Sequence, residues 1–298
     1  MDAEAMSAAA RASRDLRRLS ISPLRYPGGK GSLFSRLRTL IRANRPSNAV
    51  YVEPYAGGAG AALALLASGE VKRIVINDLD PAVFAFWRAV TAEPKGFAEL
   101  LKRAVLTVDE WERQKDIYLT ADRRDYLELG FATFYLNRTN RSGVLNGGPI
   151  GGKDQTGNYK IDARFNKETL SERLRIISLY ARHIIVKNSD GVEVIKEYCE
   201  EPNSFIYADP PYFEKAGSLY LNSFDEAAHA LLADCLNERA DRMWVLTYDN
   251  VPNVGQLYGD RRREVFALNY SAHRVMKANE VMVYSDLVDL ADPQPGLF

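Results

Sequence analysis

The tetrapeptide Asp209-Pro210-Pro211-Tyr212 holds the densest set of reactive groups in the chain. Two consecutive prolines stiffen the backbone and remove two N–H donors. A carboxylate, a backbone carbonyl and an aromatic ring are thereby presented together at one rigid corner. That set suits a planar group bearing an NH2. The Asp209 carboxylate and the Pro210 carbonyl each accept one amino hydrogen, while Tyr212 stacks on the ring face. An exocyclic amine on a purine or pyrimidine is a poor nucleophile, because its lone pair is delocalised into the ring. Two acceptors out of the ring plane localise that pair and stabilise the positive charge that builds on nitrogen during attack. The plainer alternative is a Pro-rich turn that ends a strand, with Asp209 satisfied by local amides.

A second group of residues could hold a nucleotide-like ligand. After a short apolar run the chain reads EPYAGGAGAALALL from Glu53 to Leu66. Strand, glycines and apolar helix in that order let the backbone approach a ligand closely and point helix N-terminal amides at it. The spacing fails as a dinucleotide fingerprint, since Gly58 and Gly60 are followed by Leu63 at the third position. PGGKGS at 27–32 also fails as a P-loop, because Leu24 replaces the upstream glycine and Gly31 follows the lysine. Asp78 lies eighteen residues beyond Gly60, at the end of the next apolar run. A carboxylate there accepts hydrogen bonds from both hydroxyls of a ribose. Its competing role is the N-cap of a helix starting near Pro81, for which Asp80 is the rival.

These residues need a scaffold. Seven short runs read as buried strands, nearly continuous and rich in β-branched and aromatic residues: 50–53, 73–78, 183–188, 204–209, 243–248, 264–269 and 281–286. Helical stretches at 59–69, 80–92, 167–181 and 224–240 alternate with them. The expected fold is α/β, with a mostly parallel seven-stranded sheet covered by helices on both faces. In that architecture the carboxyl ends of the strands carry the site. About a hundred residues separate the second and third strands, far more than one crossover needs. Residues 95–136 read helical, and 137–166 is a loop rich in glycine and basic residues. We therefore expect a mobile tail at 1–22, a catalytic domain at 23–94 and 183–298, and an inserted, mainly helical subdomain at 95–182.

Composition narrows the class. The 298 residues carry 39 Lys+Arg and 39 Asp+Glu, so the balance is neutral overall. Residues 1–50 nevertheless carry a net +7 and residues 184–298 a net −9, which places basic surface in the first part of the chain. No uncharged run reaches the ~18 residues that cross a bilayer, and no secretory h-region opens the chain. Cys199 and Cys235 make no disulfide framework, and three scattered histidines give no zinc spacing. A cytoplasmic, metal-free protein is the expectation.

With these residues assembled, the chain resembles the Dam-type N6-adenine DNA methyltransferases over about residues 22–290. PLRYPGGKGSL at 23–33 is similar to that family's N-terminal cofactor motif, YVEPYAGGAGAAL at 51–63 to its glycine motif, INDLDP at 76–81 to its ribose motif and IYADPPYF at 206–213 to its catalytic motif. FYLNRTNRSGVLN at 134–146 resembles the DNA-recognition stretch, and NSFDEAAHALLA at 222–233 the helix after the catalytic motif. Tyr55-Ala56 stands where Phe plus another small residue is common. The resemblance implies a Rossmann-like methyltransferase fold, S-adenosylmethionine as methyl donor and double-stranded DNA as partner. It also suggests a restriction endonuclease or another defence component as a second partner. Tyr26 and Lys30 would help form the cofactor and base pocket. Glu53 would face the methionine amino group, Tyr55 would border the cofactor, and the backbone of Gly57, Gly58 and Gly60 would cradle the methionine part. Asp78 would hold the ribose and Asp190 would lie near the cofactor adenine. Asp209, Pro210, Pro211 and Tyr212 would hold a flipped adenine, with Asp209 also facing the cofactor. Arg138, Asn140 and Arg141 would contact DNA, at phosphates more than at bases. The same chemistry on a cytosine amine, an RNA adenine or a protein amide is the nearest alternative. A catalytically silent DNA-binding protein of this fold is another.

Overall fold

The structure, a computed structural model, describes residues 21–25, 33–44, 48–213, 224–271 and 275–290, without the side chains of 268–271 and 275–278. Tyr26 and Lys30 lie outside the described residues, as do 1–20 of the expected tail. Ile21 and Ser22, placed in that tail by sequence, are buried, and the Ser22 hydroxyl donates to the Gly58 carbonyl. The tail boundary therefore moves toward the N-terminus.

Seven strands form one sheet: β1 (Val50–Glu53), β2 (Arg73–Asn77), β3 (Ile184–Lys187), β4 (Ser204–Ala208), β5 (Trp244–Asp249), β6 (Arg262–Ser271) and β7 (Val275–Tyr284). Their order is β3-β2-β1-β4-β5-β7-β6. The first five are parallel, and β7 pairs antiparallel with both β5 and β6. Every residue of β1, β4 and β5 is buried, which explains why their sequences read as continuous apolar runs. β6 and β7 are each ten residues long and form a hairpin. The apolar runs at 264–269 and 281–286 mark only part of it, because a hairpin ladder is stabilised by backbone pairing that composition does not register.

Helices cover both faces. On one side α1 (Phe34–Asn44), α2 (Gly60–Ala67) and α3 (Pro81–Ala92) pack on the sheet. On the other lie α8 (Gly191–Cys199), α9 (Glu226–Asn237) and α10 (Pro252–Leu257). Between α3 and β3 the chain forms α4 (Pro94–Arg103), α5 (Val108–Thr120), α6 (Tyr126–Thr139) and α7 (Lys167–Leu179). Caps at the N-termini follow the sequence: Asp80, Thr107, Asp125 and Asn166 each accept a backbone N–H from the first turn of their helix. The inserted helices share the main core. Phe97 of α4 and Phe134 of α6 pack with Phe86 of α3 and with each other, and Phe165 packs on Phe134, at ring separations of 5.5 to 5.9 Å. This fixes the loop after α6 relative to the strand ends.

Candidate active site

Three parallel strands deliver carboxylates to one edge. Glu53 ends β1, Asp78 follows β2 and Asp209 follows β4. Between β1 and α2 the backbone turns through Gly57 at φ 46° and Ala59 at φ 46°. The first suits glycine; the second is strained for alanine and is held because the surroundings over-determine it. Trp87 Nε1 donates to the Gly57 carbonyl at 2.9 Å, and Asn77 Nδ2 donates to the Pro54 carbonyl at 2.8 Å. Asp78 Oδ2 accepts from the Gly57 N–H at 3.0 Å, and its Oδ1 accepts from the Asp80 N–H at 3.0 Å. Asp80, not Asp78, caps α3 through the Ala82 N–H. Asp78 is thus left beside the glycine turn, and a carboxylate with two backbone bonds keeps lone pairs for further donors.

Burial sets the protonation of these acids. Glu53 is 5% exposed, and its Oε1 accepts from Tyr51 at 3.1 Å and from the Ala62 N–H at 3.0 Å. Desolvation pushes its pKa up to about 8, against those two hydrogen bonds, with the Asp209 charge adding to the rise. Asp78 is pushed up to about 7, again mainly by desolvation. Both carboxyls sit in a low-dielectric site, and among the described residues no cation is paired with either.

Tyr55 packs its ring where the α8 N-terminus begins. A Cβ on Gly191 would lie 2.4 Å from two Tyr55 ring carbons, so that close approach requires glycine. The Tyr55 hydroxyl is buried and has no hydrogen-bond partner among the described residues. Burial, then the neighbouring Asp190 charge, raise its pKa. Asp190 is the N-cap of α8, accepting from the Val192 N–H at 2.8 Å, and is exposed at the carboxyl end of β3. The fold therefore gathers Glu53, Tyr55, the glycine turn, Asp78 and Asp190 along three adjacent strand ends.

At the next strand end lies the proline corner. Asp209 and Pro211 are half-buried; Pro210 and Tyr212 are buried. Asp209 Oδ1 accepts from the Thr247 hydroxyl at 2.8 Å, and Thr247 Oγ1 shares a hydrogen bond of 2.7 Å with the Tyr207 hydroxyl. The Tyr212 hydroxyl donates to Glu280 Oε1 at 2.6 Å. Phe213, the next residue, stacks on His229 of α9 with ring centroids 3.6 Å apart. His229 Nδ1 lies 2.7 Å from the Tyr248 hydroxyl. Thr247, Tyr207, Glu280 and His229 escape sequence reasoning. The one signal was that the buried run at 243–248 ends in Thr-Tyr and is followed by Asp249, polar groups that a packed strand does not need.

The three residues expected at DNA separate. Asn140 is fully buried: its Oδ1 accepts from Trp111 Nε1 at 2.6 Å, and its Nδ2 donates to the carbonyls of Val144 and Leu145. The expectation that Asn140 contacts DNA is corrected, because every polar atom of its side chain is spent closing the loop after α6. Arg141 is exposed. Arg138 is half-buried beside a cavity of about 470 Å³ that Arg164 and Arg173 also line. Burial, then the charges of Arg25, Arg173 and Arg164, depress its pKa to about 9. The Nε–H groups of Arg138 and Arg173 are buried without a partner among the described residues.

With the geometry in place, likeness to known proteins decides the class. The family model for D12 class N6 adenine-specific DNA methyltransferases matches residues 26–276. The chain belongs to that family. Its activity is methylation of adenine N6 in DNA. It is 24% identical to the Type II methyltransferase M.MjaIII of Methanocaldococcus jannaschii, over 79% of this chain and 86% of that one. It is 23% identical to the DNA adenine methylase of Vibrio cholerae, over 84% and 89%. Among solved structures, an rRNA methyltransferase, aviRa, from Streptomyces viridochromogenes aligns over 86% of this chain and 87% of its own, with 15% identity and a TM-score of 0.31. So weak a likeness adds nothing to the strand order as a description of the fold. Among the described residues, no helix of this methyltransferase is long and apolar enough to cross a membrane.

Proposed function

We propose that this chain transfers the methyl group of S-adenosylmethionine to an adenine flipped out of duplex DNA, and that Asp209, Pro210, Pro211 and Tyr212 hold that base. The observation that carries the reading is the adjacency of the proline corner to Glu53 at neighbouring strand ends, close enough for the Asp209 charge to raise the Glu53 pKa. The residues fit the donor. Two carboxyls lifted by burial call for a cation, and the donor carries an ammonium and a sulfonium. Glu53 would take the ammonium, Asp78 the ribose, and Tyr55 with Asp190 the adenine end. When bound there, the donor supplies an electrophilic methyl group.

The chain's own residues do the rest. The Asp209 carboxylate and Pro210 carbonyl accept the two amino hydrogens, localise the nitrogen lone pair and offset the charge that develops. Tyr212 stacks on the base, offsetting about 1–3 kcal/mol of the cost of flipping. Holding amine and methyl in line supplies much of the acceleration. Asp209 acts as an acceptor, and the methylated adeninium is acidic enough to lose its proton to water.

Duplex DNA would lie against the arginine cleft of Arg138, Arg164 and Arg173, with Arg141 at its exposed edge. Buried guanidinium N–H groups without partners among the described residues suit a backbone phosphate, which takes charge-assisted hydrogen bonds and fixes register. A relative named as a Type II methyltransferase supports a restriction endonuclease as this protein's second partner.

Incubation with tritiated S-adenosylmethionine and unmethylated duplex should label adenine at N6. Asp209→Ala should lower transfer by about 10³-fold or more while cofactor affinity stays within a few-fold. Turnover surviving in that variant would remove the catalytic assignment.

A further inference from the structure

The proline corner is restrained from two strands that lie beyond it in the sheet. A phenol has one proton. The Tyr212 hydroxyl is 2.6 Å from Glu280 Oε1 and 3.4 Å from Asp209 Oδ1, so the proton goes to Glu280. Glu280 is on β7 and only 1% exposed. Because β7 runs antiparallel, its register sets Glu280 opposite Asp249, at the carboxyl end of β5 and on the same edge as the corner. Thr247, on β5, spends its own proton on Asp209 Oδ1 at 2.8 Å. The 2.7 Å contact with Tyr207 is then a bond that Tyr207 donates. Each end of the corner, ring and carboxylate, is therefore tethered by a side chain from a different strand.

Stability alone does not account for this arrangement. An acid as buried as Glu280 costs desolvation, and an apolar residue of similar volume would pack a sheet interior more favourably. What the acid supplies is direction. A ring anchored at its far end cannot swing about its Cα–Cβ bond, and because a phenol O–H prefers the ring plane, the bond to Glu280 also favours one rotation about Cβ–Cγ, so the stacking plane is set before a base arrives. Pre-set geometry of this kind lowers the barrier by avoiding ordering at the moment of reaction.

We infer that Glu280 and Thr247 are positioning residues for methyl transfer: Glu280 fixes the Tyr212 ring through its hydroxyl, and Thr247 fixes the Asp209 carboxylate. This rests on the reading of Asp209 to Tyr212 as the base-holding corner, which Asp209→Ala tests separately. If Asp209→Ala stays active, that reading fails. If it is inactive but the variants below behave as wild type, only the positioning inference fails.

The test uses the full chain, saturating S-adenosylmethionine and a duplex whose target adenine is replaced by 2-aminopurine in a parallel fluorescence assay. Glu280→Ala should lower kcat by about 10²-fold, with cofactor affinity within ~3-fold. Glu280→Gln keeps an acceptor for the Tyr212 hydroxyl and should recover kcat to within about 5-fold of wild type. Tyr212→Phe keeps the ring and removes its anchor; it should reproduce most of the Glu280→Ala loss. Combining the two should add less than ~3-fold, because both delete one interaction. The 2-aminopurine signal should change in both single variants, since the ring that quenches a flipped base is no longer held. A wild-type kcat in Glu280→Ala, or multiplicative losses in the double variant, would overturn the inference for Glu280. Should Glu280→Ala not bind cofactor, Tyr212→Phe decides that arm: wild-type kcat there overturns it. For Thr247, Ser should retain activity and the isosteric Val should lose about 10-fold or more in kcat. Equal rates for Ser and Val would overturn that half.

Discussion

The fold holds two clusters of like charge, one acidic and one basic. At the sheet edge, Glu53 and Asp78 are carboxyls pushed up to about 8 and about 7 by burial. At the cleft between α6 and α7, Arg138 and Arg173, with Arg25 near Arg138, are guanidiniums whose pKa values are lowered, again with burial as the first cause. In both places burial desolvates groups of one sign, with the exposed Asp162 as the acid lining the arginine cleft among the described residues. That is unfavourable for the isolated chain and favourable for a ligand of opposite charge, which in the proposed reading is a cationic methyl donor in one case and a phosphate backbone in the other. The difference is in how the clusters are held. The acids are braced by backbone amides of the glycine turn and by α2. The arginines are braced by carbonyls, Arg138 against Arg164, Arg173 against Ser22 and Arg25 against Asn140.

The comparison can be broken most forcefully at the cleft. Arg138→Glu should weaken duplex binding by about 10²-fold, and Arg138→Ala should reduce the slope of log affinity against log salt by about 1. A titration by fluorescence anisotropy at several salt concentrations measures both. An unchanged slope would detach the cleft from DNA and leave the parallel without its basic half.

The acidic half is tested by pH. Glu53 is mainly protonated below about 8 without ligand, whereas an ammonium partner favours the carboxylate. Cofactor binding at neutral pH should therefore release a proton and tighten as pH rises from 6 toward 8. Calorimetry in buffers of different ionisation heat reads the release directly. Glu53→Gln should abolish it and weaken binding by about 10-fold. Stability of the unliganded protein runs the opposite way with pH. A carboxyl raised in the folded state contributes fully below its unfolded value of 4.5, and that contribution is lost as pH rises through about 8. The melting temperature of the unliganded protein should fall across that window, and Glu53→Gln should flatten the fall. Proton uptake on binding, or a pH-independent melting temperature, would contradict this picture.

The smallest expected effect sharpens the boundary between binding and architecture. Asn140 and Arg138 are two residues apart, yet one clamps a loop and the other lines the cleft. Asn140→Ala should cost about 1–3 kcal/mol of stability in denaturant unfolding and leave the salt slope of DNA binding as in wild type.

Much of the fold was legible because it is written locally. Apolar runs of four to six residues, a glycine turn and Asp-led helices each follow from short-range sterics and capping, and they correctly place β1 to β5, α2 and α3. The hairpin β6–β7 was under-read, since its length is set by cross-strand pairing. At the site, Asp78 and Asp80 were competing candidates for one cap. The Gly57 N–H contact is what separates them, and it forms only once β1 and β2 are side by side.

By itself, the sequence determined the elements whose causes lie within a few residues: the proline corner at Asp209 to Tyr212, the strand–glycine–helix unit from Glu53 to Leu66, and the family to which they belong. Tertiary structure alone decided which distant groups meet them. Register across an antiparallel pair brought Glu280 to Tyr212. Packing of the inserted helices gathered Arg25, Arg138, Arg164 and Arg173 and buried Asn140. Local conformational preference reaches only a turn or two along the chain, whereas these contacts join segments 26 to 115 residues apart and are settled by pairing and packing.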